Sequence, residues 1–79
     1  MSETILFTKP DCQKCDYVKE RIPDGVEVEI IDASTAEGMA EAAFYEVLEM
    51  STPILVVGEE EPITGAINIL NRLNSLVEG

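Results

Sequence analysis

The chain has 79 residues, 46% of them hydrophobic, with five Lys and Arg, sixteen Asp and Glu and no His, for a formal charge of −11. That length leaves room for one domain, residues 1–79, with a modest core, and the hydrophobic share excludes a disordered acidic tail. So acidic a surface disfavours nucleic acid and anionic membranes, and the lack of His removes His-based acid–base chemistry and His metal ligands.

Met1-Ser2-Glu3-Thr4 has no basic region leading into a long apolar run, so no signal peptide is expected. Thr4-Ile5-Leu6-Phe7-Thr8 predicts a first strand, which Lys9-Pro10-Asp11 breaks. A helix is expected from about Cys12, with Cys15, Val18 and Ile22 at helical spacing and Lys19, Glu20 and Arg21 in solvent; Pro23-Asp24-Gly25 ends it. Val26, Val28 and Ile30 alternate with Glu27 and Glu29, the pattern of a strand with one wet face, and Ile31 breaks that pattern toward burial.

Ser34 followed by Glu37 fits a capping box for a second helix. Ala36, Met39, Ala40, Ala43, Phe44, Val47 and Leu48 share one face of that helix and are expected to be its core side, with Glu41, Glu46 and Glu49 facing away. Ser51-Thr52-Pro53 ends it. Ile54-Leu55-Val56-Val57 reads as a strand buried on both faces, and Gly58 turns it back into a short edge strand over 61–64. Thr64 is placed to cap a last helix striped by Ala66, Ile69, Leu70, Leu73 and Val77. The Glu59-Glu60-Glu61 run reads as a solvated turn, and Met39, Phe44, Tyr17 and Tyr45 as packing residues. The order β-α-β-α-β-β-α gives an α/β architecture, a mixed four-stranded sheet flanked by helices, because a helical crossover joins parallel strands and a tight turn joins antiparallel ones.

The chemistry is concentrated in Cys12 and Cys15. Two cysteines three residues apart cannot staple distant parts of a fold, which points first to reactive or metal-binding cysteines. At the first turn of a helix they meet unpaired N–H groups and the positive end of the helix dipole, which favour a thiolate. Lys9 and Lys14 push the same way, and Asp11 and Asp16 push back. Residues at this spacing lie one turn apart on one helix face, with Cys12 at the exposed tip and Cys15 deeper. That suits two-step thiol–disulfide exchange. Two other readings stay open on the residues alone. The pair would be half of a zinc or iron–sulfur site, completed by carboxylates or by a second subunit, or it would be inert core cysteine.

Lys9-Pro10-Asp11-Cys12-Gln13-Lys14-Cys15, between a first strand and a first helix, resembles the active-site loop of the glutaredoxins and small thioredoxin-like redoxins. Thr52-Pro53 ahead of Ile54-Leu55-Val56-Val57-Gly58 is similar to that family's second signature, and Gly65 to its glycine turn before the last helix. The resemblance spans nearly the whole chain and implies a thioredoxin fold. It also implies that Cys12 is the nucleophile, Cys15 the resolving cysteine and Pro53 a cis-proline, with the Thr52 backbone pairing with an extended substrate. Lys9, Lys14, Thr52, Pro53 and Gly65 would line the substrate site. The chain has Gln13-Lys14 between the cysteines and Gly65-Ala66-Ile67-Asn68 where glutaredoxins usually carry a double glycine and an acid.

The function this implies is a thiol–disulfide oxidoreductase, an electron carrier that reduces protein disulfides. The alternatives are a metal- or cluster-binding module using C-x-x-C pairs across a dimer, or a non-catalytic interaction domain. No phosphate-cradling glycine motif is present, so no bound cofactor is expected, and electrons would come from glutathione or a thioredoxin-reductase-type system. A monomer in the cytoplasm is expected, with no membrane span and no metal site. Four of the five cations, Lys9, Lys14, Lys19 and Arg21, fall in or just before the first helix. That end should be less negative than the rest, and docking of basic partners should depend on salt.

Overall fold

The computed structural model describes Thr4 to Val77; Met1 to Glu3, read above for a signal sequence, and the last two residues lie outside the described residues. The elements are β1 (Thr4–Thr8), α1 (Gln13–Lys19), β2 (Glu29–Asp32), α2 (Ala36–Phe44), β3 (Ile54–Val57), β4 (Ile63–Thr64) and α3 (Ala66–Val77). Their sheet order is β2-β1-β3-β4. β1 pairs parallel with β2 and antiparallel with β3, and β3 pairs antiparallel with β4. This is the expected mixed four-stranded α/β sheet.

All of β3, and β1 between its terminal threonines, are apolar because both of their faces are covered. Ile5, Phe7, Ile54 and Val56 pack with Ala42 of α2 and with Val47 on one face. Leu6, Leu55 and Val57 pack with Val18 of α1 and with Ile69 and Leu73 of α3 on the other. β2 begins later than its alternation suggests: Val26 and Val28 precede the strand, yet pack half-buried against the α1/α3 side. No helix among the described residues is long and apolar enough to cross a membrane.

α2 departs most from expectation. Its buried residues are Gly38 and Ala42, while Ala36, Met39, Ala40, Ala43, Phe44 and Leu48 are exposed. The reason is a close approach. A Cβ on Gly38 would overlap the Asp32 carbonyl oxygen and stand 3.0 Å from the Ala33 Cα. The helix therefore rests its smallest residues on the turn that leaves β2, and its larger apolar side chains point outward. Of the expected core stripe only Val47 is buried, and it lies beyond the helix.

The ends of the helices move for equally local reasons. Thr35, not Ser34, caps α2: its Oγ1 accepts from the Gly38 N–H at 2.9 Å. Ser34 instead donates its N–H and its hydroxyl to Asp32 Oδ1 at 2.8 and 2.6 Å. α2 stops at Phe44 because Glu46 turns left-handed, with φ of 63°. The Val47 N–H then bonds the Ala42 carbonyl and the Glu46 N–H the Ala43 carbonyl, a Schellman closure that usually carries Gly at the left-handed position. α3 is opened by Gly65, whose carbonyl accepts from the Ile69 N–H at 2.9 Å, rather than by Thr64. Val77, at the end of α3, is exposed.

The acidic turn after β3 is more than solvated. Arg72 of α3 donates from Nε and Nη2 to the Glu60 carboxylate at 3.1 and 2.7 Å, which ties the turn to the helix. That pairing lowers the Glu60 pKa below, and raises the Arg72 pKa above, its ordinary value.

Gly38→Ala should cost about 1–3 kcal/mol, the usual penalty for forcing extra volume into a packed site, as measured by urea denaturation. The Asp32 carboxyl is held below its ordinary pKa first by the Ser34 hydroxyl, then by the Ser34 N–H, with a smaller attraction from Lys19. A depressed folded pKa contributes stability that is present above the unfolded value near ~4 and is lost as pH falls through the folded one. Ser34→Ala should therefore raise the Asp32 pKa in an NMR titration and make stability less sensitive to pH in the acid range.

Candidate redox site

β1 ends at Thr8, and the turn that follows aims the chain at the helix. Pro10 and Asp11 reverse its direction, with Asp11 left-handed at φ of 57°. Aspartate tolerates that region better than most residues. Cys12 is then extended, with φ of −113° and ψ of 103°, and is the N-cap of the seven-residue α1. Its carbonyl accepts from the Asp16 N–H at 3.1 Å, and its Sγ accepts from the Cys15 N–H at 3.1 Å. The sulfur thus does the capping work that a serine or aspartate oxygen does elsewhere.

Cys12 and Cys15 form a disulfide, with Cα atoms 5.2 Å apart. Cys15 is fully buried and Cys12 half-buried. Cys15 is the deeper of the two, while Cys12, expected at an exposed tip, is itself partly covered.

Thr52 and Pro53 arrive at the same place at the start of the neighbouring strand, β3. The Thr52-Pro53 peptide is cis, and Pro53 is fully buried. Thr52 Oγ1 stands 3.8 Å from Cys12 Sγ, and the Thr52 carbonyl oxygen 4.0 Å from it. The resemblance assigned Thr52 only a backbone role. Its hydroxyl is a second donor facing the sulfur, and the readable signal is a hydroxyl residue directly before the proline. Donors aimed at a sulfur favour its charged form.

The remaining site residues are placed less closely. Lys9 and Lys14 are exposed beside the cysteines. Gly65, left-handed at φ of 91°, turns the chain between β4 and α3. Asp16 is bridged to Lys19 at 3.4 Å, which offsets its charge near the pair. Tyr17 is partly exposed rather than packed inward, and the Arg21 guanidinium lies over its ring at 3.8 Å from the centroid. Tyr45 does pack, edge-on to Phe7 at 6.2 Å. Among the described residues no cluster of three or more Cys, Asp or Glu is placed to hold a metal, so a metal on this pair would need ligands from elsewhere.

In the reduced protein, Cys12 should be alkylated by iodoacetamide well before Cys15, because only Cys12 reaches solvent. Mass spectrometry of partially modified protein checks the order; equal rates would contradict the burial difference.

No protein-family model and no curated relative matches the chain. Solved structures do. That of the thioredoxin-like protein BC3987 is 29% identical, covers 90% of this chain and 99% of its own, and superposes with a TM-score of 0.68. That of a mutant of the same protein is 27% identical, with coverages of 91% and 99% and a TM-score of 0.70. A thioredoxin-like fold with a C-x-x-C pair at disulfide distance is compatible with redox function. With its mixed sheet, its cysteine pair at the start of α1 and these neighbours, the chain is a small protein of the thioredoxin superfamily.

Proposed function

We propose that this protein is a thiol–disulfide oxidoreductase that reduces disulfides in other proteins. One observation carries the reading: the half-exposed Cys12 sulfur faces the Cys15 N–H and the Thr52 hydroxyl, with Cys15 buried within disulfide reach. The Cys12 thiolate attacks one sulfur of the substrate disulfide. A mixed disulfide forms, and the other substrate sulfur leaves as a thiolate and takes a proton. The Cys15 thiolate then attacks Cys12 Sγ, closing the Cys12–Cys15 disulfide and releasing the second substrate thiol. Two electrons and two protons have passed to the substrate.

An external reductant then supplies two thiols: the first attacks Cys12 Sγ, forming a mixed disulfide and freeing Cys15, and the second releases Cys12 and carries the disulfide away, which restores the dithiol. Glutathione or a thioredoxin-reductase-type system would serve, in a cytoplasmic setting where thiols are kept reduced. No bound cofactor is invoked. Lys9, Lys14, Thr52, Pro53 and Gly65 would bound the substrate site, and the protein would act as a monomer.

Cys12→Ser should bring disulfide reduction to background. Cys15→Ser should still attack and then stall as a mixed disulfide with substrate, visible as a mass adduct that dithiothreitol removes. If the wild-type protein reduces no disulfide with either reductant, the proposal is wrong.

A further inference from the structure

α2 turns Gly38 and Ala42 to the sheet, so Met39, Ala43 and Phe44 face away from it. Phe44 is 77% exposed and Met39 46%. Beyond the helix, Leu48 is 50% exposed and Met50 is exposed as well. Ala43, Leu48 and Met50 line one shallow cavity of about 320 Å³ together with Glu46 and Glu49, so the segment after the helix meets the outward face of α2 at Ala43, the neighbour of Phe44. An apolar surface of this kind on so acidic a protein is a feature of binding sites.

Its flanks carry one sign of charge. From Ala33 to Met50 the sequence holds four Glu and no Lys or Arg. None of the four makes an ion pair among the described residues. On the β2 side, a cavity of about 510 Å³ between strand and helix is lined by Glu29, Asp32, Glu37 and Glu41. The surface also runs toward the cysteines. Met50 is two residues before Thr52, at most ~7 Å of extended chain, and the Thr52 hydroxyl is 3.8 Å from Cys12 Sγ.

We infer that the outward face of α2, with Leu48 and Met50, is the docking surface for a partner protein that presents an apolar patch rimmed by Lys and Arg and offers its disulfide to Cys12. The inference rests on the exchange chemistry proposed above and names the class of substrate. Charge selects this occupant. A second copy of the chain would set these glutamates against their own equivalents, and facing like charges cost several kcal/mol. An anionic membrane is repelled in the same way. The two methionines supply adaptable apolar contact.

A Leu/Lys amphipathic helical peptide tests this, bearing one cysteine capped with thionitrobenzoate so that reduction releases colour. Binding is measured by NMR shift mapping on the full-length Cys12→Ser protein with an uncapped, cysteine-free version of the peptide. Shifts should fall on α2 and on residues 48–50. Affinity should drop roughly tenfold in Phe44→Ser, whose side chain is 77% exposed and meets the rest of the protein at an edge contact with Tyr45, with the variant's fold checked by its NMR spectrum. It should drop again between about 0.01 M and about 0.3 M salt. A Leu/Glu peptide of equal length should not bind.

With Cys12 intact, Phe44→Ser should slow reduction of the capped peptide and leave reduction of free cysteine–thionitrobenzoate unchanged. Shifts elsewhere on the protein, or binding indifferent to Phe44→Ser, would overturn the inference. So would a concentration-dependent dimer abolished by Phe44→Ser, which would assign the face to a second copy. Failure to reduce either disulfide would instead overturn the redox reading, while the docking result on the Cys12→Ser protein stands or falls separately.

Discussion

The antiparallel pairing of β1 with β3 sets Phe7 against Ile54, and that register decides what meets at the end of the sheet. The chain leaving β1 reaches Cys12 five residues after Phe7. The chain entering β3 passes Thr52 two residues before Ile54. Because the strands run oppositely, both segments emerge at the same end of the sheet, and the Thr52 hydroxyl comes to face the Cys12 sulfur. A one-residue slip would turn every side chain of β3 to the wrong face. Both faces of β1 and β3 are apolar, so it is the fit of these particular side chains against the helices that fixes the register, and the core that stabilises the fold also holds the site together.

The two sides of the sheet are packed by different means. α1 and α3 bring branched and long side chains, Val18, Ile69 and Leu73, to one face. α2 comes to the other with almost no side chain at the point of contact, because Gly38 lies against the Asp32 backbone. Asp32 is thereby constrained twice: its carbonyl limits the helix, and its carboxylate is fixed by Ser34. Thr35 completes the joint by capping the helix and donating its hydroxyl to the Asp32 carbonyl.

Much of this was legible in the residues. The element order, the buried third strand and the C-x-x-C at a helix start follow from local pattern, whereas the Thr-Pro step gained its meaning only through the family resemblance. The locally legible features rest on short-range chemistry: β-branched runs, breakers, and helical spacing that begins at the cysteines. The face of α2 was not legible, because apolar periodicity marks a stripe without saying which side of a helix meets the sheet. Size rather than hydrophobicity decided it, and a single glycine among alanines is a faint sign of a close approach. The early end of α2 was hidden for a related reason, since Glu46 takes a position where glycine would have announced the stop. The choice between Ser34 and Thr35 as cap depended on Asp32 engaging Ser34, a competition between neighbours that spacing alone does not resolve.

The inverted helix separates two demands that most helices must satisfy together. Its inward side is committed to packing, and Gly38 there tolerates no added atom. Its outward side bears little of that load, apart from the Phe44 edge contact with Tyr45, and changes at exposed positions usually alter stability by no more than about 0.5 kcal/mol. Side chains such as Met39 and Phe44 can therefore be exchanged during evolution at little cost to folding. A protein built this way can acquire a new partner through single substitutions on one side of a short helix, while the sulfur chemistry at the end of the sheet stays untouched.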